Sequence, residues 1–235
     1  MISIVIPTLN EAGTLAHLLA QLDREVEDHE VIVVDGGSTD GSPDIAQGFA
    51  VRVIRTAPGR GHQIRTGAAA ARGDILLFLH ADSRFPAGGL TAIRDRLGAG
   101  SDCVGGNFRL IFDGGSAFSQ WLTGFYAWIR ARGLYYGDSA IFVRRRVYDA
   151  IGGMRPIALM EDYDFTRRLE RAGPTCCIEA PPLITSSRRF IGRRPVSIVW
   201  GWLKIHALYH VGLSPDRLAR IYDSERRRSG PLAHR

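Results

Sequence analysis

Lysine is almost missing from this 235-residue chain: of its 30 basic residues only Lys204 is a lysine, and the rest are arginine. That bias by itself points to no function. Cysteine is nearly as scarce. Cys103, Cys176 and Cys177 show no C-x-x-C spacing, and adjacent cysteines rarely bridge each other. A disulfide framework is therefore not expected, and the three read as small buried hydrophobes in a reducing compartment. No apolar run approaches the roughly 20 residues of a membrane span. No basic region precedes the first apolar stretch, as it would in a signal peptide. The expectation is a soluble, cytoplasmic protein. The signature G-x-G-x-x-G is absent after the first apolar run, and so is G-x-x-x-x-G-K-[ST], which argues against an NAD-binding protein and a phosphate-loop ATPase.

What is present is ordinary in bulk and uneven in detail. The chain is 45% hydrophobic and 23% charged, with a formal charge of +6. It is long enough for one large domain, or a core plus a modest extension, and a single domain is the expectation. From Arg188 to Arg235 eleven Lys or Arg stand against three Asp or Glu. A tail of that sign suits anionic phosphates, a membrane surface or nucleic acid.

"ISIVIP" (Ile2 to Pro7), "EVIVVD" (Glu30 to Asp35), "VRVIR" (Val51 to Arg55) and "DILLFLHAD" (Asp74 to Asp82) are apolar, β-branched runs that predict strands. Between them Leu15, Leu18, Leu19 and Leu22 recur at helical spacing behind Asn10, a candidate cap. Pro43 to Phe49 and His62 to Ala71 predict two further helices. Strand alternating with helix predicts a parallel sheet covered on both faces. In such sheets ligands sit beyond the carboxyl ends of the strands. Thr8, Asn10, Glu11, Asp35, Ser38, Asp40 and Asp82 fall just past those ends and should share one crevice. After about residue 100 the rhythm changes: strands at Cys103 to Phe112 and Ser139 to Arg145, an aromatic helix at Phe118 to Arg130, a helix at Glu161 to Gly173, and two helices from Pro195 to Tyr222.

Several of these residues admit more than one reading. Asp35, followed by two glycines, is either an ordinary turn or a contact to a base or ribose. His80 is a strand end, a metal ligand or a catalytic histidine. Asp82, at the mouth of a sheet that already carries Asp35, suits a hard divalent cation sharing phosphate oxygens. Glu161, Asp162 and Asp164 open a helix, where first-turn acids are favourable. That explains one or two acids better than three, and an inward Asp162 would be a candidate general base. Adjacent Arg188 and Arg189 are a solvated pair or a diphosphate clamp. His206 and His210, four apart on a helix, have metal-compatible spacing with no third ligand nearby.

Six segments in order, "SIVIPTLNE", "VIVVDGGSTDGS", "GRGHQIRTGAAAARGDILLFLHADS", "YYGDSAIFVRR", "LMEDYDFTRRL" and "SSRRF", together resemble the family 2 glycosyltransferases over roughly residues 1 to 190. The resemblance implies a GT-A fold of the short, stand-alone bacterial type: a nucleotide-sugar half at 1–100, an acceptor and catalytic half at 101–190, and a helical extension at 191–235. It implies inverting transfer from a nucleoside diphosphate sugar, a UDP-sugar favoured, to a hydroxyl acceptor, small or lipid-linked, with Mn2+ or Mg2+. Pro7, Thr8, Asn10, Glu11, Asp35, Gly36, Ser38, Arg60, His80, Ala81, Arg188 and Arg189 then form the donor set. Asp82 takes the last position of the family's Asp-x-Asp metal motif, where His80 departs from the usual first Asp. Asp162, with Glu161 beside it, takes the catalytic base position, and Gly137 and Asp138 approach sugar and acceptor. No nucleic-acid partner is expected. The aromatic helix and basic tail suit peripheral contact with a membrane's inner face, an acceptor cleft or a homodimer interface, and all three stay open. The rivals are a nucleotidyltransferase acting on a sugar phosphate and a non-catalytic nucleotide-sugar-binding protein.

Overall fold

A computed structural model describes residues 1–187, 190 and 192–228, the last four by backbone alone. Its elements run β1 (Ile2–Thr8), α1 (Ala12–Leu22), β2 (His29–Asp35), α2 (Ser42–Gln47), β3 (Arg52–Arg55), α3 (Arg60–Ala70), β4 (Ile75–Phe78), β5 (Ser83–Arg84) and α4 (Gly89–Arg96). There follow β6 (Gly105–Phe112), α5 (Ala117–Arg130), a 3-10 turn at Gly137–Ser139, β7 (Ile141–Arg144), α6 (Arg145–Ala150), α7 (Glu161–Ala172), β8 (Thr175–Thr185), α8 (Pro195–His210) and α9 (Pro215–Arg228).

One eight-stranded sheet takes the order β3-β2-β1-β4-β7-β6-β8-β5. The first four strands are parallel, as the alternating pattern predicts. β7 runs antiparallel to both β4 and β6, so the sheet is mixed. β3 is the edge strand and is partly exposed rather than apolar throughout. The sequence reading had no strand at β8, which pairs with β6 in parallel; its register slips between Phe108 and Leu110. Pro181 and Pro182 argue against a regular ladder, and the slip lets the strand pass them.

The central strands are buried on both faces because their side chains alternate between two apolar layers. Ile2, Ile4, Ile6, Val31 and Val33 pack with the leucines of α1. Val5, Ile32, Val34, Leu76 and Phe78 pack with Ile64 and Ala68 of α3 and with Phe165 and Leu169 of α7. Each fully buried Leu, Ile or Phe contributes about 1.5–3 kcal/mol. The small residues of α3 have a steric cause. A Cβ on Gly67 would lie 2.4 Å from Val5 Cγ1, so this helix rides directly on β1 and β2.

Candidate active site

Two clusters of the expected residues form beyond the strand ends, and the first turn of α3 joins them. In the first, β1 and β2 pair in register as far as Thr8 opposite Asp35. Past that point their loops interlock through side chains. Asn10 N donates to Ser38 Oγ at 2.9 Å and Thr39 N donates to Asn10 Oδ1 at 2.9 Å. Glu11 N donates to Ser42 Oγ, and Ala12 N donates to Asp40 Oδ2, both at 2.9 Å. Asn10 is therefore not the helix cap expected from sequence. It sits at φ 56° with its side chain turned to the neighbouring loop, and Asp40 serves the orphan N–H of α1 from a distance. Ser42 donates to Asp40, which together with the Ala12 N–H holds that carboxyl below the usual range.

Asp35 is buried and accepts from Gly37 N at 3.1 Å and Ser38 N at 3.2 Å. That is the turn reading of Asp35. A carboxylate has about four acceptor sites, so two backbone donors leave capacity for a ligand. Gln63, which sequence reasoning missed, crosses beneath this loop. Its Nε2 donates to Thr8 O at 2.9 Å and Val34 O at 2.8 Å, pinning the ends of β1 and β2 together. Gly36 is glycine because a Cβ there would sit 3.0 Å from that amide. Pro7 lies half-buried at the end of β1, and Glu11 accepts from Thr14 Oγ1 at 3.1 Å. Ala81, expected near the donor, places its methyl in the apolar core.

Three residues before Gln63, on the same turn of α3, Arg60 enters the second cluster. Its Nε donates to Glu161 Oε1, and its Nη2 lies 3.6 Å from Asp162 Oδ2. The approach needs Gly61, where a Cβ would fall 2.5 Å from Arg155 O. Asp162 Oδ2 accepts from Gly137 N at 2.9 Å and Oδ1 from Tyr163 N at 2.7 Å. A Cβ on Gly137 would lie 3.2 Å from His80 Nε2 and 3.3 Å from Asp162 Oδ2, so the glycine lets the histidine and the carboxylate share one small space. Asp138 accepts from Tyr126 Oη at 3.0 Å. Asp82 is half-buried, two residues beyond His80 in the turn closed by Ser83 N to His80 O at 3.1 Å.

The electrostatics separate the two acids that open α7. Burial pushes Glu161 up, against the pull of Arg60. Burial also acts to raise Asp162, but Arg60 and the N–H groups of Gly137 and Tyr163 outweigh it and hold the carboxyl below its usual range. Arg60 in turn is held charged by Glu161, Asp162 and Asp138 despite its desolvation. The third acid, Asp164, faces away and pairs with Arg168 at 2.7 Å and Arg155 at 3.0 Å. So two of the three acids turn inward and one is peripheral.

Arg188 and Arg189 lie outside the described residues. Among the described residues no three His, Cys, Asp or Glu side chains converge on a metal-sized point. His206 and His210 instead place Nε2 within 3.0 Å of Tyr136 Oη and 3.1 Å of Tyr163 Oη.

An open sheet with acids gathered past its parallel strand ends, entered from the other side by an antiparallel strand and an acid-led helix, is the layout of a GT-A glycosyltransferase. Residues 3–157 match the profile of Glycosyl transferase family 2, and the chain belongs to that family. It is 33% identical over 200 residues to a PGL/p-HBAD biosynthesis glycosyltransferase of Mycobacterium tuberculosis, covering 79% of this chain and 72% of the relative. In fold it is similar to a mannosyltransferase of Pyrobaculum calidifontis solved with GDP-Man and Mn2+, at TM-score 0.66, 19% identity, and 96% and 68% coverage of the two chains. A glucosyl-3-phosphoglycerate synthase of Mycobacterium tuberculosis, solved with Mn2+, UDP and glucosyl-3-phosphoglycerate, superposes at TM-score 0.61, 19% identity, and 99% and 81% coverage. The chain is a glycosyltransferase.

Proposed function

We propose that the chain transfers a sugar, with inversion, from a nucleoside diphosphate sugar to a hydroxyl acceptor, and that Asp162 is the general base. A UDP-sugar is the donor we favour. The observation that carries this reading is the carboxylate of Asp162, kept ionised at neutral pH by Arg60 and two backbone N–H groups. The acceptor oxygen passes its proton to Asp162 and attacks the anomeric carbon from the face opposite the diphosphate. The carbon–oxygen bond to the diphosphate breaks, and the nucleoside diphosphate leaves with the electron pair. Holding donor and acceptor in line supplies much of the acceleration. Thr8, Glu11 and Asp35 line the base and ribose end, and Arg188 and Arg189 neutralise phosphate oxygens.

The donor set suits a metal of the Mg2+ or Mn2+ kind. Asp82 offers one hard oxygen, and such ions take one or two carboxylates and complete their shell with phosphate oxygens and water. Asp82 would hold the ion, which when bound stabilises negative charge on the departing diphosphate.

Asp162→Asn tests the base. Release of nucleoside diphosphate from UDP-glucose, or from whichever UDP-, GDP- or dTDP-sugar raises the melting temperature with Mn2+, should fall by about 10²–10⁴. Thermal stabilisation by donor should persist. Retained turnover would remove Asp162 from the chemistry, and pyrophosphate release from a nucleoside triphosphate and a sugar 1-phosphate would favour the nucleotidyltransferase.

A second reading concerns where the acceptor is met. No described helix is long and apolar enough to cross a membrane. However, Trp128 and Trp200 are 54% and 67% exposed on α5 and α8, with Trp121 and Leu203 nearby in sequence and similarly exposed. Phe118, Trp121, Phe125 and Trp128 stack in series along α5. Residues 114–137 and 186–215 contain no Asp or Glu but seven Arg or Lys. Exposed indoles on segments that carry arginine and lack acids suit the interface of an anionic bilayer. Co-sedimentation with phosphatidylglycerol vesicles, weakened by salt and by Trp200→Ser, is expected. Equal binding to phosphatidylcholine, or none, overturns this reading.

A further inference from the structure

We infer that α8 belongs to the catalytic unit, with His206 and His210 as positioning residues that fix the carboxylate of Asp162 through Tyr136 and Tyr163. This deepens the reading of Asp162 as the base and rests on it.

The argument starts from the two donors that orient Asp162. They are the N–H of Gly137 and the N–H of Tyr163. One donor is the backbone of Tyr163 itself, and the other lies on the peptide that joins Gly137 to Tyr136, so each donor is placed by a tyrosine. Each of these tyrosines reaches a histidine of α8 with its hydroxyl, at 3.0 Å and 3.1 Å. The rings confirm the fit. Tyr163 meets His206 edge-on at 5.0 Å and 90°, meets His210 at 5.8 Å and 89°, and lies stacked on Tyr136 at 6.2 Å. Buried phenol hydroxyls want a partner, and a neutral imidazole nitrogen can accept their hydrogen bond. Burial, reinforced by His210, keeps His206 toward the neutral form.

An independent feature points the same way. Met160, directly before Glu161 and Asp162, has φ 67°, a region that a side chain other than glycine, Asn or Asp rarely adopts. Strain of this kind persists only where the surroundings over-determine it. The side chain of Met160 is buried with Tyr163, Ile205 of α8 and Leu218 of α9. The two C-terminal helices thus hold both the strained entry to α7 and the tyrosines beside it. These helices lie beyond residues 3–157, the stretch matched to the family. The i, i+4 spacing of the histidines sets one imidazole nitrogen on each tyrosine hydroxyl.

The test uses the full chain with His206 and His210 both replaced by Phe, which keeps aromatic packing and removes the acceptors. Amide exchange is read by mass spectrometry at Gly137 and Tyr163 against amides of β1 and β4. Exchange at the first two should rise about tenfold, the scale of one lost hydrogen bond, with β1 and β4 unchanged. Tyr136→Phe should reproduce the effect at Gly137, and His206→Gln should largely reverse it. The kcat for nucleoside diphosphate release should drop while the donor KM holds. Unchanged exchange in the Phe variant overturns the inference, as does faster exchange with kcat intact. If Asp162→Asn leaves turnover unaffected, the base assignment fails, whereas the exchange result still reports the clasp.

Discussion

The two halves of the site are built in opposite ways. Around β1 and β2 two loops are held by polar side chains on backbone: Asp35 accepts from its own turn, whereas Asn10, Asp40 and Ser42 each accept an N–H across the pair of interlocked loops. Around Asp162, beside the N–H of Tyr163, the partners are gathered from several separate segments. Its environment comes from Arg60, about a hundred residues earlier, from Gly137, 25 residues earlier, and from His80. A half held by interlocked loops has its backbone geometry fixed by hydrogen bonds. A half assembled from distant segments carries buried charges whose balance depends on every contributor.

Arg60→Met should separate the halves most sharply. It leaves Glu161 and Asp162 buried without their cation, a change that costs about 3–5 kcal/mol for a broken buried pair. The pH dependence follows from the sign. Asp162, depressed in the fold, contributes stability above its unfolded pKa that is lost as pH falls through the folded value. Without Arg60 both acids rise and that contribution disappears. Urea midpoints should therefore fall further below wild type at pH 7 than at pH 4, where the buried carboxylates can take up protons. An equal loss at both pH values would mean that Arg60 acts by packing.

Gln63→Leu attacks the other half and should cost less, about 1–3 kcal/mol for two buried carbonyls that lose a donor. The effect should appear in melting temperature and in weaker nucleotide binding, with kcat at saturating donor little changed. A large kcat loss would show that the α3 turn couples the two clusters rather than serving each separately.

These contrasts also explain what could be read from the sequence. The parallel strands and α1 announce themselves because burial on both faces demands β-branched runs and because four leucines mark one helix stripe. The excess of acids at the start of α7 was legible as more than helix-end electrostatics requires, and Glu161 and Asp162 do turn inward. β8 was not legible, since two cysteines and Pro181-Pro182 carry no strand pattern of their own until β6 is there to pair with them. Gln63 looked like the polar side of a small-residue helix. The Tyr–His pairs span 70 and 47 residues, and no local pattern connects such partners. Local hydrogen bonding and periodicity leave a trace along the chain, but long-range complementarity does not.

The smallest expected effect tests whether α8 answers to the charge balance of the second half. His206 faces Tyr136, Tyr163, His210 and, at longer range, Asp162. Burial lowers its pKa and His210 lowers it further, while Asp162 opposes. The unfolded chain protonates histidine near about 6.5. Between that value and the lower folded one the unfolded state binds more protons, so stability must fall as pH drops through this window and be complete above it. In His206→Gln this contribution is absent, so the gap between urea midpoints at pH 7.5 and 5.5 should be narrower than in wild type, with the values at pH 7.5 nearly matched. Groups that do not touch His206 contribute alike in both proteins and cancel in the comparison. A gap of equal size would mean that the folded chain protonates His206 as readily as the unfolded one, and that the ring is not sequestered between the tyrosines.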